Sequence, residues 1–406
     1  MSNYSPVIPG LTRDLTSFDL DRVTPGQARG DNGKFYEGMG MYIHIPFCAS
    51  KCSYCDFLSF EGAGQDLQKR YVGALLTEIK AAHIESKIDT VYFGGGTPTL
   101  LPSPLICAIL QEVQSLNLAK DTEITVEMNP CTNAKNLLTD LKAHGVNRLS
   151  IGLQAWQDDL LASIKRAHTA RDFADIIQAA RSAGINNTNV DLMFGLPNQT
   201  INQWRETITH VVSLAPSHIS MYSLTPAENT PLWDALEAGD ICLPDETLDR
   251  AMYHEAISLL KSTGYEHYEI SNFAKPGHES RHNVDCWQRK PYLGFGLGAH
   301  SFDGAARWSN TWDIARYLDS PASAKEDFQT LTIQDAMAEM MFLGLRMTNG
   351  VNPSMFKDAF GKTLAECYGP ILETLISNGL LEYKTENIAL TPLGLDLANQ
   401  VFGAFL

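Results

Sequence analysis

No run of 18 apolar residues occurs in this chain of 406, so a membrane-spanning helix is not expected. The N-terminus has no basic stretch followed by an apolar one, so no secretory leader is expected either. Lys/Arg-rich runs are missing as well. The 31 basic residues are outnumbered by 47 acidic ones, and the net charge of −16 disfavours non-specific nucleic-acid binding. Peripheral contact with a membrane surface stays open. Disulfide spacing is absent: Cys107, Cys131, Cys242, Cys286 and Cys367 are scattered, which suits a reducing cytosol and a cytoplasmic protein. At 44% hydrophobic residues the chain still has enough apolar surface for a large core and two domains.

The remaining three cysteines are the opposite of scattered. Tyr42-Ile43-His44-Ile45-Pro46 reads as a strand stopped by proline, and Cys48, Cys52 and Cys55 follow at C-x3-C-x2-C spacing. Thiolates this close repel one another unless a soft cation holds them, so an iron–sulfur cluster or a zinc ion is implied. Zinc usually takes paired C-x2-C knuckles, and no second knuckle exists here. On a four-iron cluster, three ligands leave one iron open to another molecule.

Residues 1–38 are rich in Pro, Gly, Asp and Ser and read as a flexible lead-in. From Gly40 onward, β-rich runs recur at Tyr42–Ile45, Thr90–Phe93, Ile124–Val126, Arg148–Ile151, Asn189–Leu192 and His218–Tyr222. Between most of them the apolar spacing is helical, as in Leu67, Tyr71, Leu75 and Ile79, or Phe173, Ile176, Ile177 and Ala180. Six β-α units predict an α/β fold with a parallel sheet curled into an open, partial (β/α)6 barrel. Polar groups follow these strands: Gly94-Gly95-Gly96-Thr97-Pro98, Glu127-Met128-Asn129-Pro130, Gly152-Leu153-Gln154 and Asp191 before Phe194-Gly195-Leu196-Pro197. The glycines let backbone groups approach a ligand closely, and no Lys-Ser/Thr follows them, so this is not a Walker loop. Glu127 and Asp191 can accept from hydroxyls or an ammonium, Gln154 can orient a carboxylate, and Arg166 can clamp one. Further on, residues 333–346 and 366–378 read as amphipathic helices, and a strand pair, Leu380–Lys384 and Asn387–Leu390, precedes a capped final helix.

The cysteine loop, the GGGTP turn, EMNP and RLSIGLQ together resemble the radical S-adenosylmethionine (SAM) superfamily, in its HemN/HemW branch. Arg166-Ala167-His168-Thr169, Asp191-Leu192-Met193-Phe194-Gly195-Leu196-Pro197 and the stretch from Tyr268 to Gly277 extend the resemblance, which runs from Tyr42 to the C-terminus. It implies a [4Fe-4S] cluster on Cys48, Cys52 and Cys55, and a SAM site lined by Tyr42, Tyr54, Gly95, Gly96, Thr97 and Glu127. Gln154, Arg166 and Asp191 match positions that contact a second SAM in the oxidase of the branch.

Two features divide the branch. The oxidase carries a further cysteine where this chain has Phe57, and Arg281-His282-Asn283-Val284-Asp285-Cys286-Trp287 is similar to the heme-associated H-N-x-x-Y-W motif, with Cys286 in place of tyrosine. The resemblance is therefore nearest to the heme chaperones. It implies heme as a third cofactor, His282 as the iron ligand with Cys286 as the lesser choice, and a heme-accepting protein and an electron donor as partners. The competing expectation is a radical SAM enzyme of porphyrin metabolism, oxidase-like or a methyltransferase, in which SAM cleavage abstracts hydrogen from the substrate. The division expected is a lead-in (1–38), a barrel with the heme-motif segment (39–318), and a small α+β, winged-helix-like domain (319–406) acting as lid or docking surface.

Overall fold

The structure is a computed structural model and describes residues 38–130 and 134–406. The lead-in expectation falls on residues 1–37, outside the described residues, apart from Gly38. All six expected strands are present: β1 (Met39–Ile45), β2 (Ile88–Gly95), β3 (Leu118–Met128), β4 (Arg148–Gln154), β5 (Asn187–Phe194) and β6 (His218–Ser223). They pair in chain order and in parallel, with Tyr42 opposite Tyr92 and Val126 opposite Leu149.

The alternation along each strand explains the layering. Met41, Ile43 and Ile45 of β1, like Leu149, Ile151 and Leu153 of β4, are buried in the main apolar core. Their neighbours Tyr42, His44, Ser150, Gly152 and Gln154 instead line an inner cavity. Helices α1 (Gln65–Ala81), α2 (Ser103–Gln114), α3 (Ala134–Ala143), α4 (Ala170–Ser182) and α5 (Ile201–Ser213) fall between these strands in the chain. Helix α1 buries Tyr71, Leu75 and Ile79, four residues apart. Thr169 opens α4 with a capping box: its hydroxyl accepts from the Asp172 amide, and the Asp172 carboxylate accepts from the Thr169 amide.

The sheet is larger than the six expected strands. Strands β7 (Glu266–Glu269) and β8 (Asn272–Ala274) extend it antiparallel beyond β6. On the other side, β9 (Tyr292–Phe295) lies parallel against β1, followed by the antiparallel strands β10 (His300–Phe302), β11 (Ala306–Asn310) and β12 (Lys325–Thr330). The twelve-stranded order is β12-β11-β10-β9-β1-β2-β3-β4-β5-β6-β8-β7, open at both ends.

One buried carboxylate ties this extension to the barrel. Glu78 of α1 accepts from the Gly296 amide (2.9 Å), the Asn310 side-chain amide (2.6 Å) and the Tyr317 hydroxyl (2.7 Å). Glu78→Ala would leave the buried Gly296 amide and Tyr317 hydroxyl unpaired, while Asn310 Nδ2 would keep only the Gly296 carbonyl at 2.8 Å. It is expected to cost on the order of 3 kcal/mol in urea unfolding, and a loss well under 1 kcal/mol would remove Glu78 as the tie.

A second apolar core, including Met341, Val351, Phe356, Leu372 and Phe402, forms the C-terminal part. There three helices, Ile333–Gly344, Pro353–Phe360 and Leu364–Ser377, precede an antiparallel hairpin, Leu381–Lys384 with Asn387–Leu390, the pair the sequence predicts. Thr391 caps the helix that follows by accepting from the Gly394 amide at 2.9 Å. No helix among the described residues is long and apolar enough to cross a membrane.

Candidate cofactor and ligand site

The cysteine loop is held in place by its own backbone. Pro46 ends β1, and Phe47–Cys48 then pairs in parallel with Phe60–Glu61, closing the loop between them. The Ser53 amide donates to the Ile164 carbonyl, and the Ser53 carbonyl accepts from the Leu232 amide, at 3.2 and 2.9 Å. Cys48 is buried, while Cys52 and Cys55 are half-buried; all three face one cavity of about 460 Å³. Among the described residues no three Cys, His, Asp or Glu side chains converge closely enough to share one ion. A cluster asks for a different arrangement, in which each thiolate holds its own iron corner. The loop fits that requirement in kind, and its surroundings fit it too. Arg166 Nη1 donates to Cys52 Sγ at 3.5 Å, and its Nε is buried with no partner, a donor left for a bound anion.

The glycine turn leans on this loop. The Gly96 and Thr97 amides donate to the carbonyls of Ile45 and Phe47 (2.9 and 2.8 Å), and a Cβ on Gly96 would stand 2.7 Å from the Phe47 oxygen. Gly95 has φ +114° and packs against the His44 ring. The glycines thus serve contact between two chain segments as well as contact with a ligand. Gly95 and Gly96 line the cavity. Thr97 does not; it stands behind the wall, 3.8 Å from Cys48 Sγ, accepting from Asn129 Nδ2 at 2.8 Å.

Around the cavity the expected residues come together. Tyr42 lies on its wall, its hydroxyl 3.0 Å from His44 Nδ1 and its ring stacked with Tyr92 at 6.3 Å. Tyr54 reaches it from the cysteine loop. Arg166 Nη2 donates to Asn129 Oδ1 and the Gly152 carbonyl, both at 2.6 Å, and so is clamped between the EMNP and RLSIGLQ stretches. Gln154, nearly buried, holds φ +74°, a strained backbone for a residue with a Cβ. Asp191 sits inside β5 rather than at its end, and accepts from Asn189 Nδ2 (2.8 Å) and Ser150 Oγ (3.2 Å).

Glu127 accepts from the Tyr92 hydroxyl (2.8 Å) and the Gly95 amide (3.2 Å). Burial, with the Asp191 charge adding to it, pushes its carboxyl from 4.5 up to about 7. An acid whose folded-state pKa is raised contributes stability at low pH and loses it as pH rises from 4.5 through about 7. Glu127→Gln is therefore expected to stabilise the ligand-free protein at about pH 8, on the order of 2 kcal/mol, with the gain shrinking as the pH is lowered. Thermal melts across that range test it; a pH-independent difference would contradict it.

The RHNVDCW stretch forms a short helix, α6 (Arg281–Trp287). His282 and Cys286, one turn apart, line the same cavity as the three cysteines. His282 Nδ1 is 2.9 Å from Thr90 Oγ1, and its ring stacks on Tyr92 at 5.2 Å. Burial, helped by the Arg148 charge, lowers its pKa to about 4, so the imidazole is neutral. Burial pushes the Cys286 thiol up to about 12, which keeps it protonated and favours His282 as the better donor. The C-terminal part closes this side: Glu339 takes Arg289 (2.8 Å) and Arg307 (2.9 Å), and the Arg346 guanidinium lies 4.3 Å over the Trp287 ring.

Sequence reasoning missed His44, Tyr92, Asn129, Ser150 and Asn189. A signal was present in the period of two: polar residues alternate with apolar ones in strands that are otherwise fully buried, as in Asn189-Val190-Asp191 or His218-Ile219-Ser220.

Comparison with known proteins agrees with this geometry. Residues 42–211 match the family model for the radical SAM superfamily, and residues 331–397 match that for the HemN C-terminal domain. A Bacillus subtilis protein named heme chaperone HemW is 37% identical, over 90% of this chain and 98% of its own. The Lactococcus lactis protein of the same name is 34% identical, over 90% and 96%. The solved structure of Escherichia coli coproporphyrinogen III oxidase, HemN, has the same fold: TM-score 0.80, 24% identity, 91% of this chain and 90% of that one. A radical SAM domain implies a [4Fe-4S] cluster and SAM. With relatives of 37% and 34% identity that each span 90% of it, this chain belongs to the HemW family of the radical SAM superfamily.

Proposed function

We propose that this protein binds heme and passes it to an acceptor protein, using a cluster- and SAM-binding barrel as its frame. The relatives named heme chaperone support the reading. The observation that carries it is the shared cavity, in which His282 and Cys286 of α6 face the same space as Cys48, Cys52 and Cys55. When bound, a [4Fe-4S] cluster supplies a reducing electron and an open iron for the amino-acid end of SAM. The chain's own residues orient that ligand. Cys48, Cys52 and Cys55 hold the cluster; Tyr42, Tyr54, Gly95, Gly96 and Glu127 form the SAM wall, with Thr97 bracing Cys48 from behind. Gln154, Arg166 and Asp191 complete the polar lining. Residues 39–318 form the cofactor unit and residues 319–406 the lid or docking unit for the acceptor, joined through β12 of the large sheet. Cytoplasmic placement accords with the seven described cysteines being free.

A second reading, an enzyme of porphyrin metabolism, has one observation in its favour: both lumen carboxylates, Glu127 and Asp191, face the cavity. Against it, Phe57 stands on the cavity rim in place of a further cysteine. One anoxic experiment separates the two. The reconstituted protein is given SAM and dithionite, and 5′-deoxyadenosine is assayed with and without coproporphyrinogen III, alongside a heme titration. Heme binding near one per chain without substrate-dependent 5′-deoxyadenosine supports the chaperone; substrate-dependent product overturns it.

A further inference from the structure

Four histidines face the interior of this sheet, and their hydrogen bonding separates them. His44 is 3.0 Å from the Tyr42 hydroxyl through Nδ1 and 3.0 Å from the Leu58 carbonyl through Nε2. His218 is bonded at both nitrogens as well, to Asn189 Oδ1 (2.6 Å) and the Tyr268 hydroxyl (2.8 Å). His282 has one nitrogen committed to Thr90. His300 is different. It opens β10, lines the same cavity and is only half-buried, and among the described residues neither ring nitrogen meets a partner.

The surroundings of His300 suit a broad, flat ligand. Gly294 of β9 has no Cβ because the His300 backbone carbonyl occupies that place, so β10 is drawn tightly onto the sheet. A Cβ on Gly298 would meet Leu58 at 2.7 Å, with the Trp312 ring 3.7 Å away. Trp312 is 52% exposed although it lines the cavity, an unusual position for the largest apolar side chain. An imidazole without partners and an open indole therefore line the same cavity, His300 from β10 and Trp312 from the bend that follows β11. A neutral imidazole is a common axial ligand for iron, and an exposed indole gains by covering an aromatic face.

We propose that His300 is an axial ligand to the iron of a bound metalloporphyrin, and that Trp312 packs on the macrocycle at the cavity rim. The inference rests on the heme-binding reading and adds an iron-facing residue outside the RHNVDCW helix. His282, with Thr90 fixing its Nδ1, presents Nε2 from another element of the same cavity, so iron has two imidazoles within one chamber to draw on.

The test compares ferric heme with metal-free protoporphyrin IX, titrated into the cluster-loaded full chain. His300→Ala is expected to weaken heme binding about tenfold or more and to shift its Soret band, with metal-free porphyrin affinity unchanged. Trp312→Ala is expected to weaken both ligands by similar factors. Cluster absorbance and SAM binding, which neither residue serves, report that each variant is folded. If His300→Ala binds heme with wild-type affinity and spectrum, the assignment of His300 is wrong while the chaperone reading stands. If the unaltered protein binds neither porphyrin, the chaperone reading fails and takes the assignment with it.

Discussion

Cys52→Ala protein, purified and reconstituted without oxygen, is expected to be nearly colourless and to hold less than about a tenth of the iron of the parent protein. The loop has no spare ligand. Cys48 is fixed on a paired strand, Cys55 follows a turn in which its amide donates to the Cys52 carbonyl at 3.2 Å, and among the described residues no other cysteine lines the cavity apart from Cys286, on a different element. Two thiolates cannot replace three on a cubane whose fourth corner is already open. Cys52 also has a particular neighbour, since Arg166 Nη1 points at its sulfur; losing that partner leaves a buried cation beside an empty corner. Cys367→Ala, in the second apolar core, is the control and should keep its full iron content. Iron analysis and visible absorbance decide the matter, and a brown, iron-replete Cys52→Ala protein would end the cluster assignment.

His282→Ala is expected to reduce heme binding from about one per chain to background while the cluster absorbance persists. The side chain is held on two sides, by Thr90 Oγ1 and by the Tyr92 ring, which leaves Nε2 as the nitrogen available to iron. Truncation removes that donor and opens a hole beside Gly40, whose missing Cβ would lie 3.3 Å from the ring. A folding defect would disturb the cluster too, so the pair of readouts separates ligation from stability. Undiminished heme titration would remove His282 from the site. Glu127→Gln complements this on the SAM side: the substitution that raises stability at about pH 8 is expected to lower SAM affinity about tenfold or more, since an amide accepts less well than a carboxylate from hydroxyls or an ammonium.

What the sequence made legible follows the range of the interactions involved. The six parallel strands stand out because each is a run of β-branched and apolar residues bounded by turn signals, and their helices carry local caps such as Thr169 with Asp172. The cysteines stand out because their spacing is itself local. The added strands do not. Tyr292–Phe295 belongs to a glycine-rich run that extends to Ser301, and it becomes a strand only because β1 offers an unpaired edge. His300–Phe302 and Asn272–Ala274 are three residues each, too short for any period. In the site, Asn129 takes its role from bridging Thr97 and Arg166, partners distant in the chain. The left-handed backbone of Gln154 has no composition signal, because glutamine rarely adopts it. Thr97 is the reverse case, a residue legible as part of a motif whose place is behind the wall and not on it.

The pairing of β9 with β1 sets an order of events during synthesis. The strand that carries the cysteine loop gains its second neighbour only after residues 292–295 have left the ribosome, and the Glu78 carboxylate finds Asn310 and Tyr317 later still. Until then the strand that leads into the three cysteines has a bare sheet edge. Stable cluster loading is therefore expected only once residues 292–295 have been made, and a chain truncated before residue 292 is expected to aggregate and to hold little iron.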